Sequence, residues 1–449
     1  MSSLIGRRAV IIGAGIGGLS AAGALAPCFE QIIILERDQL TPAAEARSGI
    51  PQGRHSHGLL AGGLEALEEL FPGYKSALVE AGAVPVEIAR DLRYERADVG
   101  ALPQRDFGLT LLCASRPLIE LILRHRVDAI ANVECWPECR VAEVCSVAPQ
   151  AAARRVRFDK KSGESKSLDA DLVVDASGRG LPTTALLDGL GHERPEVTEI
   201  GVDASYSTAV VEIPEPRTQN WKVVLTQPDP PRLAAYGVLM SIERDRWMVT
   251  ICRRGPAERL DGWRQFITAF GGLITPTIYN ALRHARPVEG IRHHAFQTSC
   301  WRHFERLPHL PRGVLPIADA LCRFNPIYGQ GMSSAARQAW LLRAVLERSA
   351  ALPDPIAALQ AGFMAEVASI IEAPWTMSTT CDLIFPDTRG VRPENLEATV
   401  KSEAALFRAA VSDPVVHKAM IEVGHLLQPP LMLRAPHIVQ RIEEVNAAA

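Results

Sequence analysis

The first 36 residues contain the pattern that most strongly limits what this 449-residue chain can fold into. A short β-branched run at 9–12 leads into Gly-Ala-Gly-Ile-Gly-Gly at 13–18, and small residues continue through Leu25. A second apolar run at 32–35 ends at Glu36. A strand, a glycine-rich turn, a helix, a strand and a terminal acid in this order predict a βαβ unit that binds a dinucleotide.

Each part of this turn has a physical role in such a unit. Gly13 permits the tight turn, Gly15 lets the backbone approach a pyrophosphate, and Gly18 lets the helix lie against the strand. The start of the helix, at Ile16 and Gly17, offers free N–H donors and a positive dipole end to the phosphates. The acid that ends the second strand is placed to accept hydrogen bonds from a ribose diol. The alternative to dinucleotide binding is a glycine-rich turn that binds no ligand and is followed by a glutamate on the surface.

Composition excludes several other classes of protein. The chain is 47% apolar and 22% charged, as in soluble globular proteins. A net charge of −3 provides no field that attracts nucleic acid or anionic membranes. The nine cysteines are an odd number without a zinc-type spacing, so we expect a cytoplasmic protein with no metal site.

A signal peptide is the rival interpretation of residues 9–29, which are uncharged and follow two arginines. The five glycines in this run disfavour a membrane-type helix. We expect no other stretch of the chain to be long and apolar enough to span a bilayer, and therefore no integral membrane segment.

The rest of the chain divides into strand-rich and helix-rich parts. Helices are predicted at 59–70 and 116–130, the second opened by Ser115 and Pro117. A buried strand is predicted at 171–175. The pattern then changes to long strands that predict an antiparallel sheet, at 205–213, 221–226 and 234–252, with a hairpin turn at 243–246.

A short apolar strand is predicted at 313–319 and a long helix at 331–349, which is the same strand-then-helix pattern as at the start of the chain. From residue 354 onward the pattern is helical with predicted proline breaks at Pro374, Pro386, Pro393, Pro429, Pro430 and Pro436. We therefore predict units at 1–190, 191–304, 305–350 and 351–449.

The segment 316–332 identifies which dinucleotide the chain binds. An acid, Asp319, ends a strand and is followed by Pro326, Gly329 and Gly331 and then by the start of a helix. The acid is suited to a ribityl hydroxyl, and the glycines let backbone N–H groups approach a flat ring. The helix dipole at Met332 favours negative charge on a reduced flavin. This segment predicts a flavin nucleotide.

Together these motifs resemble the single-component FAD-dependent monooxygenases of the para-hydroxybenzoate hydroxylase fold. The segments at 49–60 and 173–180 are similar to the bacterial branch that contains polyether-pathway epoxidases and is related to squalene epoxidase. The resemblance covers most of the chain. Two positions depart from the family pattern: Ala318-Asp319 replaces Gly-Asp, and Asp175-Ala176-Ser177-Gly178 replaces an Asp-Gly pair.

The resemblance implies an α/β fold, with a Rossmann-like FAD-binding domain, an antiparallel β-sheet substrate domain and a C-terminal helical region. The implied FAD-binding residues are those of the glycine loop with Glu36, Arg37, Gln52, Gly53, His55, Arg116, Val141, Asp175, Asp319, Pro326, Gly329, Gln330, Gly331 and Met332. Among these, Arg37 joins the ADP half, Val141 contacts adenine through its backbone, and the Gln52–His57 stretch lies near the middle of the flavin.

Several of these residues have a structural alternative. Arg116 could equally be an ordinary surface arginine, and His55 a hydrogen-bonded structural histidine. Asp175 could simply cap the next turn. Tyr206, Trp221 and Tyr236 are candidates for an apolar wall against the substrate, and core packing accounts for them equally well.

The resulting functional hypothesis is a monooxygenase that inserts one oxygen atom from O2 into a hydrophobic small molecule in secondary metabolism, by epoxidation or hydroxylation. Its electrons come from NAD(P)H or from a separate flavin reductase. No side chain is assigned as catalytic, and the oligomeric state is left open.

The alternatives are a flavin reductase or dehydrogenase of the isoprenoid-reductase type, a flavin-dependent halogenase, and a non-catalytic flavin-binding protein. Lys75 stands on the segment where flavin halogenases carry a lysine, but the Trp-x-Trp-x-Ile-Pro run of those enzymes is missing from the sequence. The sequence therefore favours a monooxygenase over a halogenase.

Overall fold

The computed structural model describes residues 4–146, 154–214, 219–255 and 259–448. In this part of the chain the strands are, in order, β1 (Gly6–Ile12), β2 (Phe29–Leu35), β3 (Val84–Glu87), β4 (Leu92–Arg96), β5 (Gly100–Ala101), β6 (Thr110–Cys113), β7 (Val133–Trp136), β8 (Cys139–Ser146), β9 (Arg154–Lys160), β10 (Ser165–Ala170), β11 (Leu172–Asp175), β12 (Val197–Glu212), β13 (Val223–Thr226), β14 (Ala235–Ile242), β15 (Arg246–Arg254), β16 (Arg286–Pro287), β17 (Arg292–Arg302), β18 (Val314–Pro316) and β19 (Cys322–Arg323).

The α-helices of the same part are α1 (Ile16–Leu25), α2 (Ala61–Leu70), α3 (Tyr74–Glu80), α4 (Ile88–Asp91), α5 (Arg116–Asp128), α6 (Leu181–Gly189), α7 (Trp263–Phe270), α8 (Thr277–Leu282), α9 (Gly331–Ser349), α10 (Pro355–Leu383), α11 (Leu396–Ser412), α12 (Pro414–Gly424) and α13 (Pro436–Ala448).

A five-stranded parallel sheet has the order β18-β11-β1-β2-β7. Its registers align Ile12 with Leu35 of β2 and with Asp175 of β11, and Asp175 in turn with Pro316 of β18. The carboxyl ends of four strands therefore meet at one edge, where ligands bind in open parallel sheets. The predicted βαβ unit is confirmed, and α1 is buried along its whole length because its small residues fit between the sheet and α9.

A nine-stranded sheet forms the second layer, with the path β19-β17-β12-β15-β14-β13-β4-β5 and β16 paired to β12. The hairpin β14–β15 turns at residues 243–245, as predicted. The predicted strands pair antiparallel, as expected, and the one parallel pair of this sheet in the described residues joins β4 to β13. Strands β4 and β5 come from a part of the chain that carried no strand prediction, and β12 starts eight residues before the predicted position.

The two faces of this sheet have different surroundings. One face packs toward the parallel sheet, and it includes Tyr206 and Tyr236 in the main hydrophobic core. The other face forms a separate core with α7 and α8, and it includes Trp221 and Trp247. Alternate side chains of each strand point to opposite faces, so the sequence position within a strand decides which core a residue enters.

Of the helices after β18, α9 agrees with the prediction from the sequence and α10 does not. Helix α9 spans Gly331–Ser349, as predicted. The predicted break at Pro374 is wrong, because α10 continues through this buried proline to Leu383. The unit boundaries proposed above remain predictions.

Helix α10 also corrects the expectation that no stretch beyond the N-terminal run has the length and apolarity of a membrane span. Its 29 residues meet both criteria, and 44% of the most apolar window is buried inside the protein. The core helix of a soluble protein meets the same criteria. This helix packs against α9, so its apolar side is used within the fold.

Candidate functional site

The glycine-rich turn lies at the carboxyl edge of the parallel sheet. Gly13 has a φ of +102°, and a Cβ there would lie 2.8 Å from the carbonyl oxygen of Ala176. A Cβ on Gly18 would lie 1.9 Å from the carbonyl oxygen of Gly13. A Cβ on Gly15, in contrast, would meet nothing within 4 Å. Gly15 therefore leaves open the space in front of α1, as the pyrophosphate prediction requires.

A cavity of about 1240 Å³ begins at this turn and runs between the two sheets. It is lined by most of the predicted flavin-binding residues, namely Gly13, Gly15, Ile16, Gly17, Glu36, Arg37, Gln52, Arg116, Val141, Asp319, Pro326, Gly329, Gly331 and Met332. Residues from the first strand to the start of α9 thus surround one continuous space.

Glu36 is buried at the first end of this cavity. Its carboxylate accepts hydrogen bonds from the backbone N–H groups of Ala14 (2.8 Å) and Asp38 (2.9 Å). It also pairs with Arg47, whose Nη1 lies 3.1 Å away. The surface-glutamate alternative is therefore wrong, and the carboxylate is held in place by the turn itself.

Arg47 connects this end of the cavity to α5. Its Nη2 donates to Glu120 (2.9 Å) and to the carbonyl oxygen of Ala14 (3.0 Å). Burial alone raises the pKa of Glu120, but Arg116 and Arg47 outweigh it and hold this pKa below its usual value. Neither Arg47 nor Glu120 was predicted from the sequence, since neither stands in a motif and their pairing joins positions 73 residues apart.

Arg116 lies in the middle of the cavity, at the first turn of α5. Its Nε donates to Glu120 (2.8 Å) and its Nη1 donates to the Nε2 of His57 (3.2 Å). The Nδ1 of His57 bonds the backbone carbonyl of His55 at 2.8 Å. Burial and the Arg116 cation lower the pKa of His57 to about 3. The guanidinium is therefore fixed on two sides, and its side chain is only 14% exposed, unlike that of an ordinary surface arginine.

Asp319 lines the far part of the cavity, after β18. Burial raises its pKa, an effect that Arg116 opposes most strongly. The residue before it, Ala318, has a φ of +59°, the left-handed conformation that favours glycine. A Cβ on Gly17 would lie 2.6 Å from the Cβ of Ala318. The first turn of α1 and the turn after β18 therefore approach each other closely at this point.

The turn that closes the cavity spans Asn325 to α9. Asn325 accepts a hydrogen bond from the N–H of Ile327 (3.3 Å) and caps the 3₁₀ turn Pro326–Tyr328. Gly329 follows in the left-handed conformation, with a φ of +66°. The first turn of α9 then faces the cavity through Gly331 and Met332.

Some predicted residues are not brought to the cavity wall. Gly18 and Gly53 lie behind it, and Gln330 is buried with its amide near Met377. His55 is buried beside Thr208, whose hydroxyl lies 2.8 Å from its Nδ1, and burial lowers its pKa to about 3. These positions favour a supporting role.

Asp175 is fully buried and caps the following segment. Its carboxylate accepts from the N–H groups of Ser177 and Thr183, both at 3.1 Å, and from the Thr183 hydroxyl at 2.7 Å. The capping alternative accounts for this residue.

The three candidate substrate-wall residues do not line the cavity. Trp221 packs edge to face on Trp247, on the sheet face that points away from it. Tyr206 and Tyr236 lie on the nearer face, but their hydroxyls are engaged by Asn325 (2.5 Å) and Tyr328 (3.4 Å). The core-packing alternative accounts for Trp221, because it is buried in the core that the sheet forms with α7 and α8.

The residues that line the cavity offer the open space and the donors that FAD requires. Gly15 leaves space beside a helix N-terminus, which suits a pyrophosphate. Two lining residues, His294 and Arg323, each carry a buried nitrogen (Nε2 and Nε) without a hydrogen-bond partner among the described residues. No group of three metal-ligating side chains occurs in the described part of the chain.

Comparison with solved structures supports this assignment of the fold. A p-nitrophenol 4-monooxygenase of Pseudomonas putida DLL-E4 aligns with a TM-score of 0.64 and 15% identity, over 95% of this chain and 99% of that one. A flavoprotein/dehydrogenase of Cytophaga hutchinsonii aligns with a TM-score of 0.68 and 12% identity, over 99% of both chains. HpxO of Klebsiella pneumoniae, complexed with FAD, aligns with a TM-score of 0.62 and 18% identity, over 95% of this chain and 100% of that one. The chain has the α/β fold of FAD-binding monooxygenases.

Comparison by sequence gives a nearer relative. The chain matches no family profile. It is 30% identical over 454 residues to Protein Rv3254 of Mycobacterium tuberculosis (strain ATCC 25618 / H37Rv), a match that covers 97% of this chain and 92% of that protein. The chain therefore belongs to the same protein family as Rv3254.

Proposed function

We propose that this chain is an FAD-dependent monooxygenase that inserts one atom of O2 into a hydrophobic small molecule. The observation that carries the proposal is the single cavity that joins the glycine turn at Gly15 to the turn at Gly329. A space of this kind, with a buried acid at one end and a helix N-terminus at each of two turns, suits an extended dinucleotide.

The roles of the lining residues follow from their positions. Glu36 would accept hydrogen bonds from the ribose of the ADP half, next to the open space at Gly15. Arg116, fixed by Glu120 and His57, would neutralise the pyrophosphate. When bound, FAD would supply the oxygen activation, which amino-acid side chains do not provide.

The far end of the cavity would orient the reacting ring. The backbone of Pro326 and Gly329 would lie against its face, and Asp319 would hold the ribityl chain. The N-terminus of α9 would favour negative charge at the nearest edge of the ring. The two sheets would exclude water from this space.

The finer assignment follows the resemblance described above. We propose an alkene or aromatic substrate, epoxidised or hydroxylated in secondary metabolism, with NAD(P)H or a separate flavin reductase as electron source. Burial lowers the pKa of His57, which lines the cavity, to about 3, so its imidazole is a very weak base. A substrate that needs no deprotonation, such as an alkene, suits this environment.

Lys75 gives no support to the halogenase alternative. It lies on α3, where its Nζ is 2.5 Å from the carboxylate of Glu65, and it is not among the cavity-lining residues of the described chain. A flavin reductase that inserts no oxygen would need the same cofactor. The reaction-class measurement below distinguishes it from a monooxygenase.

The first measurement is of the cofactor. Purified protein is expected to be yellow, and acid precipitation is expected to release FAD into the supernatant, since no covalent link is proposed. Flavin that remains in the pellet, or protein that takes up no FAD on reconstitution, contradicts the proposal.

The second measurement is of the reaction class. Candidate alkenes and aromatics are incubated with the FAD-loaded protein and a reductant under ¹⁸O2, with and without chloride or bromide. The expected product contains one labelled oxygen atom and does not depend on halide. A halogenated product would favour a halogenase, and an equal yield of unlabelled product without oxygen would favour a reductase.

A further inference from the structure

The C-terminal part of α10 contains a carboxylate that the sequence motifs did not identify. Asp382 is fully buried, and it forms an ion pair with Arg254 at the end of β15. Its carboxylate also accepts hydrogen bonds from the Nδ2 of Asn325 (3.0 Å) and from the hydroxyl of Tyr328 (2.8 Å). Burial raises the pKa of Asp382, and the Arg254 cation together with the Tyr328 and Asn325 donors opposes this rise and favours the carboxylate.

Two of these donors belong to the turn that closes the cavity. Asn325 is the residue that precedes the 3₁₀ turn, and Tyr328 is its last residue. Asp382 therefore binds both ends of one turn from behind, while Pro326 within the turn and Gly329 after it face the cavity.

The donors are themselves oriented by the nine-stranded sheet. The hydroxyl of Tyr206 donates to the Oδ1 of Asn325, so both ends of that amide are engaged. The hydroxyl of Tyr236 donates to that of Tyr328 at 3.4 Å. The guanidinium of Arg254 also donates to the hydroxyl of Thr388 at 3.1 Å. The sheet, α10 and the turn are thus joined at Asp382.

We propose that Asp382 is a positioning residue for the flavin ring: with Arg254 as its counter-ion, it fixes the 325–332 segment against the isoalloxazine. This inference rests on the proposed FAD function and extends it to a residue outside the cavity wall. Asp382 touches neither cofactor nor substrate. It acts through Asn325 and Tyr328.

The charge pair predicts the direction of an effect on the flavin. In Asp382→Asn the side chain keeps its shape, but the Arg254 cation behind the turn loses its counter-ion. An uncompensated cation behind the turn that faces the ring favours the reduced, anionic flavin. The midpoint potential is therefore expected to rise. If the substitution changes the affinity for one redox state of FAD tenfold more than the affinity for the other, the midpoint potential shifts by about 30 mV for a two-electron couple.

The matched control is Glu95→Gln. Glu95, on β4 of the nine-stranded sheet, is as fully buried as Asp382, pairs with Arg93 and accepts from Thr226 (2.9 Å) and Thr277 (2.6 Å). Its neighbour on the strand, Tyr94, stacks on Phe407 of α11, so Glu95 points to the opposite face of the sheet. Both variants remove one buried charge, but only Asp382→Asn alters the turn.

The experiment compares wild type, Asp382→Asn and Glu95→Gln by three measurements: melting temperature, flavin midpoint potential, and amide hydrogen exchange of residues 325–332 in FAD-free protein. We expect both variants to melt lower, but only Asp382→Asn to raise the potential and to speed exchange in this segment at least tenfold. Equal effects of the two variants on the potential and on exchange would overturn the inference.

If Asp382→Asn does not fold, Tyr328→Phe serves as the second variant, because it removes one hydrogen bond to the same carboxylate and keeps the ring. It is expected to show the same two changes at smaller size, and unchanged exchange and potential would count against the inference. Failure of wild type to bind FAD would overturn the proposed function instead, while the exchange measurement would still decide whether Asp382 holds the turn.

Discussion

Two glycines of the first turn have different roles: Gly15 leaves space for a pyrophosphate, and Gly18 allows the turn itself to form. Gly15 has φ −81° and ψ −178°, an extended conformation that any residue adopts. Its missing side chain therefore serves the ligand. At Gly18 the missing side chain serves the fold, because a Cβ would collide with the backbone of Gly13.

This difference predicts opposite outcomes for two substitutions. Gly15→Val is expected to leave the melting temperature close to that of FAD-free wild type and to abolish FAD binding, since the side chain fills the open space. Gly18→Ala is expected to lose about 3 kcal/mol or more of stability through overpacking. Circular dichroism melts and acid-released FAD per protein measure both. Full FAD content in Gly15→Val would show that the pyrophosphate lies elsewhere.

Ala318 has a strained backbone conformation that glycine adopts without cost. Its left-handed backbone costs about 1–2 kcal/mol relative to an allowed conformation. Glycine removes this cost but adds about 0.5–1 kcal/mol of unfolded-chain entropy. Ala318→Gly is therefore expected to raise stability by about 0.5–1 kcal/mol. Ala320→Gly, two residues later and buried without a positive φ, is the control and is expected to lower the melting temperature; a lower value for Ala318→Gly too would contradict the strain argument.

At the scale of an element, α12 contains a buried histidine that links its stability to pH. Arg105 donates to the Nδ1 of His417 at 2.9 Å. Burial and this cation lower the pKa of His417 to about 4, from 6.5 in the unfolded chain. Between pH 6.5 and 4 the unfolded state therefore binds a proton that the folded state does not. Stability is lost as the pH falls through this window.

The expected loss is about 1 kcal/mol per pH unit from this one residue. In His417→Gln the melting temperature is expected to fall less between about pH 7 and pH 4.5 than it does in wild type. His192→Gln, at an exposed position, is the control and is expected to follow wild type. Identical pH profiles for all three proteins would show that His417 does not contribute to acid sensitivity.

At the scale of the whole molecule, the sequence predicts what is local and misses what joins distant segments. The βαβ unit and α9 were predictable because their signals, glycine spacing and helical periodicity, lie within about 30 residues. The pairing of β4 with β13 was not, since nothing in residues 92–96 indicates a partner at 223–226. Pro374 stays within a helix because packing against neighbouring elements outweighs its local cost.

The same distinction holds for the candidate site. Gly13, Gly15, Gly17, Glu36, Arg116 and Asp319 stand in motifs and line the cavity, whereas Gly18 does not. No role was predicted for Arg47 or Asp382, because a buried ion pair has no sequence signature until the fold brings its members together. For Trp221 the sequence left the substrate wall and core packing equally open, and the fold decides for the core beside α7 and α8.

The strand order of the parallel sheet also has a consequence for synthesis on the ribosome. Strand β11 has β1 on one side and β18 on the other, and about 140 residues separate β11 from β18 along the chain. At about 5–20 residues per second, translation of that interval takes roughly 7–28 s. During this time the nascent chain exposes one bare edge of a hydrophobic strand, which is the kind of surface that invites intermolecular pairing. Yield in a heterologous host therefore depends on how well chaperones cover that edge until residue 316 has emerged.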